Sequence, residues 1–217
     1  MYLDHLIAHY DMSLPNPVNL APATYGQNNG VGTGIDMSNI VDGIAGGKGT
    51  KYNGTDEFTN VGNVNKVLDD LTLSAFINYK VAHKGGIISN AITASSKTGY
   101  NFFLWDDTAF GEIYVDIGNG TTYKRVIHIL PRVGLHHVGI TLIGNVITLY
   151  ANGDMAGTPQ SFDGSYVSPN QDTEIGRIYS SVTRFFAGII DEIFILKTGL
   201  SQIQMRDLYE QIRMGRL

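Results

Sequence analysis

Cysteine does not occur in the 217-residue chain. That absence removes thiol nucleophiles, zinc-thiolate centres and disulfide staples together, and it fits manufacture in a reducing compartment. Long apolar runs are also missing. No stretch approaches the roughly 20 residues that a membrane-spanning helix needs, so membrane insertion is not expected. Charge is sparse: net −5, with the 15 Lys and Arg scattered rather than clustered. A nucleic-acid footprint is therefore not expected either. The amino terminus, MYLDHLIAHYDMSLP, carries acid and histidine where a signal peptide has a basic start and an apolar stretch, so export by the ordinary route is not expected. The glycine-rich front has neither a phosphate-loop Lys-Ser/Thr ending nor a helix behind it, and no Ser-His-Asp constellation can be assigned from spacing.

What is present points to strands. The 26 glycines, with abundant Thr, Ile, Val and Tyr, favour short strands and tight turns, and 217 residues suit one large all-β domain with a core of its own. After a first strand at Tyr2 to Tyr10, the stretch Pro15 to Thr50 is rich in Gly, Asn, Pro and Ala and reads as one long irregular excursion. Strand candidates then recur at 76–79, 86–89, 100–105, 112–117, 123–129, 136–143, 146–151, 174–178 and 189–196. Turns at Gly144-Asn145 and Asn152-Gly153 separate the strands of a hairpin region. Two Asn-Gly-Thr triplets, at Asn53 and Asn119, match the glycosylation sequon but read as turns. Near the end, Ser201 followed by Gln204 has the spacing of a capping box and opens a small amphipathic helix.

Four segments in order carry a family resemblance: GIAGGKGTKYNG at Gly43 to Gly54, LTLSAFINY at Leu71 to Tyr79, LHHVGITLIGNVITLYANGDMAG at Leu135 to Gly157, and GIIDEIFILKTGLSQIQMRDLY at Gly188 to Tyr209. They resemble the concanavalin A-like, laminin G-like jelly-roll family. The resemblance implies an all-β fold, a two-sheet antiparallel sandwich spanning residues 1–217 with one short C-terminal helix. Leu135 stands where the family often has Trp before His136, so any role of that Trp is missing.

Candidate chemistry follows from that frame. The family's glucan-cleaving members present two carboxylates from one strand, and retaining cleavage needs them roughly 5 Å apart. Glu112 and Asp116 share a strand face but lie about 13 Å apart along it, so they read as a solvated sheet face or as ligand hydrogen-bonders. Catalysis is not expected. Alternation sets Asn101, Phe103 and Trp105 opposite Tyr100, Phe102 and Leu104, and sets Glu112, Tyr114 and Asp116 opposite Ile113, Val115 and Ile117. If the aliphatic set is core, the other face mixes aromatics with amide and carboxylate groups, which suits a sugar or a protein with aromatic anchors. The bland reading is that Phe103 and Trp105 merely cover the sheet.

Asp191 reads as sharing a strand face with Ile189, Ile193 and Ile195, so it must be hydrogen-bonded, ion-paired or metal-bound if that face is core. The resemblance implies that Asp191 can help hold a structural calcium, with Asp11 or the Asn53-Gly54 turn as neighbours; the alternative is a metal-free Asp pinning strand to loop. His5 and His9 have a zinc spacing only on a helix, and adjacent His136 and His137 on a strand face opposite ways, so zinc is not expected at either place. The reading overall is a non-catalytic surface-binding module on a virion, a phage capsid decoration or tail adhesin made in the cytoplasm. Its partners would be capsid or tail proteins, a glycan or a host surface, and it would act as a homo-oligomer. The alternatives are a cellular carbohydrate-binding module and a divergent glycoside hydrolase.

Overall fold

The computed structural model describes residues 5–21, 28–44, 46–64, 70–91, 97–179 and 181–216. Its strands in chain order are β1 (Leu6–Tyr10), β2 (Val31–Thr33), β3 (Ile40–Asp42), β4 (Lys48–Asn53), β5 (Phe58–Asn60), β6 (Leu71–Tyr79), β7 (Gly85–Ser89), β8 (Tyr100–Trp105), β9 (Glu112–Gly118), β10 (Tyr123–Ile129), β11 (Gly134–Ile143), β12 (Val146–Ala151), β13 (Asp154–Met155), β14 (Gln160–Ser161), β15 (Glu174–Ile175) and β16 (Ala187–Leu196). One helix, α1 (Gln202–Arg213), follows. A nine-stranded sheet runs β13-β12-β11-β6-β16-β4-β3, with β1 on β16 and β14 on β12; a seven-stranded sheet runs β10-β9-β8-β7-β15-β5-β2. All pairings are antiparallel. This is the jelly-roll sandwich expected of the sequence.

The inner faces supply one core. Leu73, Ala75, Ile77, Val138, Ile140, Ile190, Ile193 and Ile195 from one sheet meet Ile88, Tyr100, Phe102, Leu104, Ile113, Val115 and Ile117 from the other. The alternation read from β8 and β9 is thus the alternation observed. On the outer face of the nine-stranded sheet, α1 lays Met205, Leu208 and Ile212 over Phe76, Phe194 and Leu196. The helix starts where its capping box puts it: the Ser201 hydroxyl accepts from the Gln204 amide, and the Gln204 side chain accepts from the Ser201 amide. The Asn152-Gly153 turn has φ of 53° and 81°, the double positive φ of the two-residue hairpin turn expected there. Both sequon asparagines also fold as turns, each side-chain oxygen accepting from backbone amides two and three residues on.

Three expectations are corrected. Pro15 to Thr50 carries β2, a 3-10 turn at Met37–Asn39, β3 and the start of β4, so it contributes an edge strand to each sheet. Asparagines make this order possible by standing in for strand partners. Asn19 accepts from the His9 and Ala21 amides and donates to the Ile7 carbonyl, while Asn16 accepts from the Gly32 amide. The candidate strand 174–178 stops at Ile175, because Gly176 turns at φ 86°. Of the first strand, residues 2–4 lie outside the described residues.

The third correction concerns Asp191. Between Asp191 and Phe194 the register against β6 slips by one residue, with Glu192 at φ 49°, a bulge that resets the alternation. Ile193 and Ile195 therefore enter the core while Asp191, paired with Phe76, stays with Ile189 on the outer face. It does not share a face with Ile193 and Ile195. Asp191 is buried there by the loop that enters β4, because Gly43 and Gly49 leave the room: a Cβ on Gly43 would overlap the Asp191 carboxylate.

Candidate functional site

The six residues singled out on β8 and β9 form a grid on the outer face of the seven-stranded sheet. Register aligns Trp105 with Glu112, Phe103 with Tyr114, and Asn101 with Asp116. Strand β10 extends each row, placing Ile129 beside Glu112, Ile127 beside Tyr114 and Arg125 beside Asp116. Sequence alternation therefore brought all six together. It did not show how far they are covered. Asn101, Phe103, Glu112, Tyr114 and Asp116 are buried, and Trp105 is half-buried. The expected solvated face for Glu112 and Asp116 is thus not observed.

The cover is the segment after β15. Strand β7 carries Gly86 beside Phe103, and a Cβ there would overlap the Arg177 backbone, so the glycine lets the chain lie directly on the sheet. Ile178 then packs with Phe103 and Tyr114. The Tyr179 amide donates to Ser89 Oγ, which in turn bonds Asn101 Oδ1. Arg177 closes the near end, with two hydrogen bonds to Glu174 and its guanidinium 3.5 Å above the Phe58 ring.

Electrostatics within the grid are resolved in pairs. Arg125 holds Asp116 bidentately, Nε to Oδ1 at 2.6 Å and Nη2 to Oδ2 at 2.7 Å. Burial pushes the Asp116 carboxyl above its ordinary range, an upward shift that Arg125 offsets only in part, while the Arg125 guanidinium is held charged by that same hydrogen bonding. Burial raises the Tyr114 hydroxyl, and nearby Glu112 and Asp107 add to the shift. With one hydrogen bond from the guanidinium to each oxygen, the Asp116 carboxylate is held in a fixed ion pair beneath the cover.

Accessible chemistry lies at the rim. Trp105 donates from Nε1 to Asp107 and is flanked by cations, with Lys84 Nζ 4.5 Å and the Arg184 guanidinium 5.0 Å from its ring centroid. On the edge strand, Tyr123, Ile127 and Ile129 are exposed, the last two by 46% and 55%. An aromatic, two cations and an apolar stripe thus border a buried polar grid. Sequence reasoning missed Lys84, Arg125, Arg177 and Arg184; only Arg125 had a local signal, since β10 had to pair β9.

The other candidates separate from this face. Asp191 accepts from the Ile44 and Glu192 amides, each at 2.9 Å, which pins the loop before β4 to β16. Burial nonetheless raises its carboxyl to about 7. Among the described residues no three His, Asp or Glu side chains cluster to hold an ion. His9 pairs with Glu192 at 2.6 Å and stacks on Phe194. His136 faces Tyr79 and donates from Nε2 to the Arg132 carbonyl at 2.8 Å, whereas His137 lies between Phe76 and Tyr209 on the helix side. The pair indeed points to opposite faces. Full burial drives the His137 imidazole down to about 3, so it is neutral at any physiological pH.

Comparison with known proteins places the fold. Domain 4 of an extracellular GH43 arabinanase from Geobacillus stearothermophilus, solved with arabinotriose, is 18% identical with a TM-score of 0.69, over 94% of this chain and 98% of that one. The binding domain of Paraclostridial Mosquitocidal Protein 1 is 17% identical with a TM-score of 0.71, over 96% of this chain and 52% of that one. The receptor binding domain of botulinum neurotoxin D is 18% identical with a TM-score of 0.70, over 97% and 53%. The chain spans about half the length of these toxin domains. A search of the curated proteins finds no match. A laminin G family model, described as the concanavalin A-like lectin/glucanases superfamily, matches residues 53–205, and with the two-sheet sandwich and its capping helix this establishes that the chain belongs to that superfamily.

Proposed function

We propose that the protein is a non-catalytic binding module that recognises a glycan, or a receptor carrying one, through the rim of its seven-stranded sheet. The observation that carries this reading is Trp105, half-buried, framed by Lys84 and Arg184 and adjoining the exposed Ile129 and Ile127 across Glu112 and Tyr114. An aromatic ring covers the apolar face of a pyranose or furanose while flanking donors meet its hydroxyls. Solved relatives named as binding domains, and one solved with arabinotriose, support the same reading. The bidentate tie of Asp116 to Arg125 disfavours hydrolysis.

Display on a virion, as a capsid or tail component in several copies, is the setting we favour. Leu14, Val18, Leu20, Val31 and Met37 are exposed along the front of the chain and support contact with another subunit or a particle surface. The arabinanase domain supports a second setting, a carbohydrate-binding module of a cellular enzyme. Calorimetric titration against a glycan panel that includes arabinotriose tests the core proposal: at least one saccharide should bind, and Trp105→Ala should weaken it tenfold or more with little change in melting temperature. Binding that Trp105→Ala leaves intact, or hydrolysis abolished by Glu112→Gln, would overturn it. Mass spectrometry of purified virus particles decides between the two settings.

A further inference from the structure

The outer face of the nine-stranded sheet is covered by α1 only in part. At the other end of the sheet lies a cavity of about 650 Å³, within the range of small-molecule sites. Its floor is one register row across three strands, Lys51 on β4, Ile189 on β16 and Asn78 on β6. Val41 flanks the row on the β3 side, and Lys80 and Val81 follow β6 as the opposite wall. Adjacent strands lie about 4.8 Å apart, so Lys51 and Asn78 stand about 10 Å apart across Ile189, and alternation returns Lys80 to the face of Asn78. Two ammonium groups on long stems can therefore converge over one apolar floor.

The charge pattern is one-sided. No carboxylate lines the cavity among the described residues, although the chain as a whole carries net −5. Lysines to either side have acids, Lys48 with Asp42 at 2.7 Å and Lys84 with Asp106 at 3.4 Å. Lys51 and Lys80 have no ion pair among the described residues, and the Asn78 amide has no hydrogen bond there. Asn53 is already committed to its turn, and His83 is locked: Nδ1 donates to the Val81 carbonyl and Nε2 accepts from the Ala187 amide at 2.8 Å. That lock ties the Lys80–Val81 wall to β16 and gives the cavity a fixed shape before any ligand arrives.

We propose that this cavity is a second binding site, for a saccharide bearing one anionic group. Lys51 and Lys80 take the anion, Asn78 bonds a ring hydroxyl, and Ile189 with Val41 and Val81 packs against the apolar ring face. Carboxylate and sulfate share this chemistry, and glucuronate and glucose 6-sulfate are the probes that distinguish them. Neutral glucose lacks the charge the site selects.

The site does not depend on the Trp105 rim, and one pair of variants keeps the two apart. In two-dimensional NMR titrations of the full chain, glucuronate or glucose 6-sulfate should shift the amides of 51–53, 78–81 and 187–189. Glucose should bind at least tenfold more weakly. Lys51→Gln with Lys80→Gln should weaken the anionic probe at least tenfold and flatten its salt dependence, while Trp105→Ala leaves it unchanged. Both lysines are exposed, so the double variant should melt with the wild type. Unchanged affinity in the double variant, shifts confined to 103–114, or no shift with either probe overturns the inference. Loss with Trp105→Ala alone would do so while leaving the front-face reading intact.

Discussion

The two sheets cover their outer faces with different materials. Over the nine-stranded sheet, α1 brings Met205, Leu208 and Ile212 onto Phe76 and Phe194, an apolar cover whose burial drives folding. Over the seven-stranded sheet the cover is polar and charged: Asp116 with Arg125, Asn101 with Ser89, Glu174 with Arg177, and a small apolar cluster of Phe103, Tyr114 and Ile178 with Trp105 packed against it. Paired charges under a cover contribute little net stability against an apolar equivalent, yet removing one partner is destabilising. The first face is built to hold the sandwich shut. The second spends surface on groups that only a ligand or a fixed geometry rewards.

That contrast can be broken from either side. Leu208→Ala should have the largest effect, a loss of about 3 kcal/mol in denaturant unfolding, because it opens a cavity between helix and sheet. A loss below about 1 kcal/mol would show the helix to be a surface ornament. Arg125→Ala should come next, a loss of about 2 kcal/mol, since it leaves the buried Asp116 carboxylate without its donors. Replacing the pair together, with Arg125→Met and Asp116→Leu, should recover most of that loss; failure to recover would assign Arg125 a packing role instead. A third effect, different in kind because it depends on pH, belongs to Asp191. Its folded carboxyl titrates near 7 against 3.8 unexposed to the fold's influence. Between those values the unfolded chain releases the proton while the folded chain keeps it, so wild-type stability falls as pH rises from about 4 to 7. Asp191→Asn lacks that fall, and the stability difference should therefore move in the variant's favour across this window. Parallel curves would mean that the Ile44 and Glu192 amides hold the carboxylate ionised throughout. A chelator scan in the same titration tests calcium at this residue, since an ion there would make the wild type alone sensitive.

Much of this was legible in the chain. Alternation in residues 100–105 and 112–117 divided core from outer face correctly, and Ser201 with Gln204 marked the helix start, because both signals are local. What was not legible is long-range or depends on a single dihedral. The cover over Phe103 needs Gly86 and Arg177 to meet across 91 positions' worth of chain, and the row Lys51-Ile189-Asn78 exists only because β16 sits between β4 and β6. Asparagines at 16 and 19 read as loop formers, yet they supply the hydrogen bonds that order the front. The Asp191 error came from counting straight through a residue that does not advance the register.

That one residue, Glu192, acts on β16 as a frameshift acts on a message. Upstream of it, odd-numbered positions face outward and even-numbered ones inward; downstream the parity is exchanged, so Ile193 and Ile195 go in and Phe194 goes out. Straightening the bulge with Glu192 kept would send every downstream side chain to the wrong layer, Phe194 into the core and two isoleucines toward the helix. Deleting Glu192, by contrast, removes the extra residue and leaves Phe194 opposite Ser74 and Ile195 opposite Leu73 as before. The bulge at this point therefore sets the frame of everything after it, and one further residue inserted between 191 and 194 should be far harder to accommodate than a substitution there.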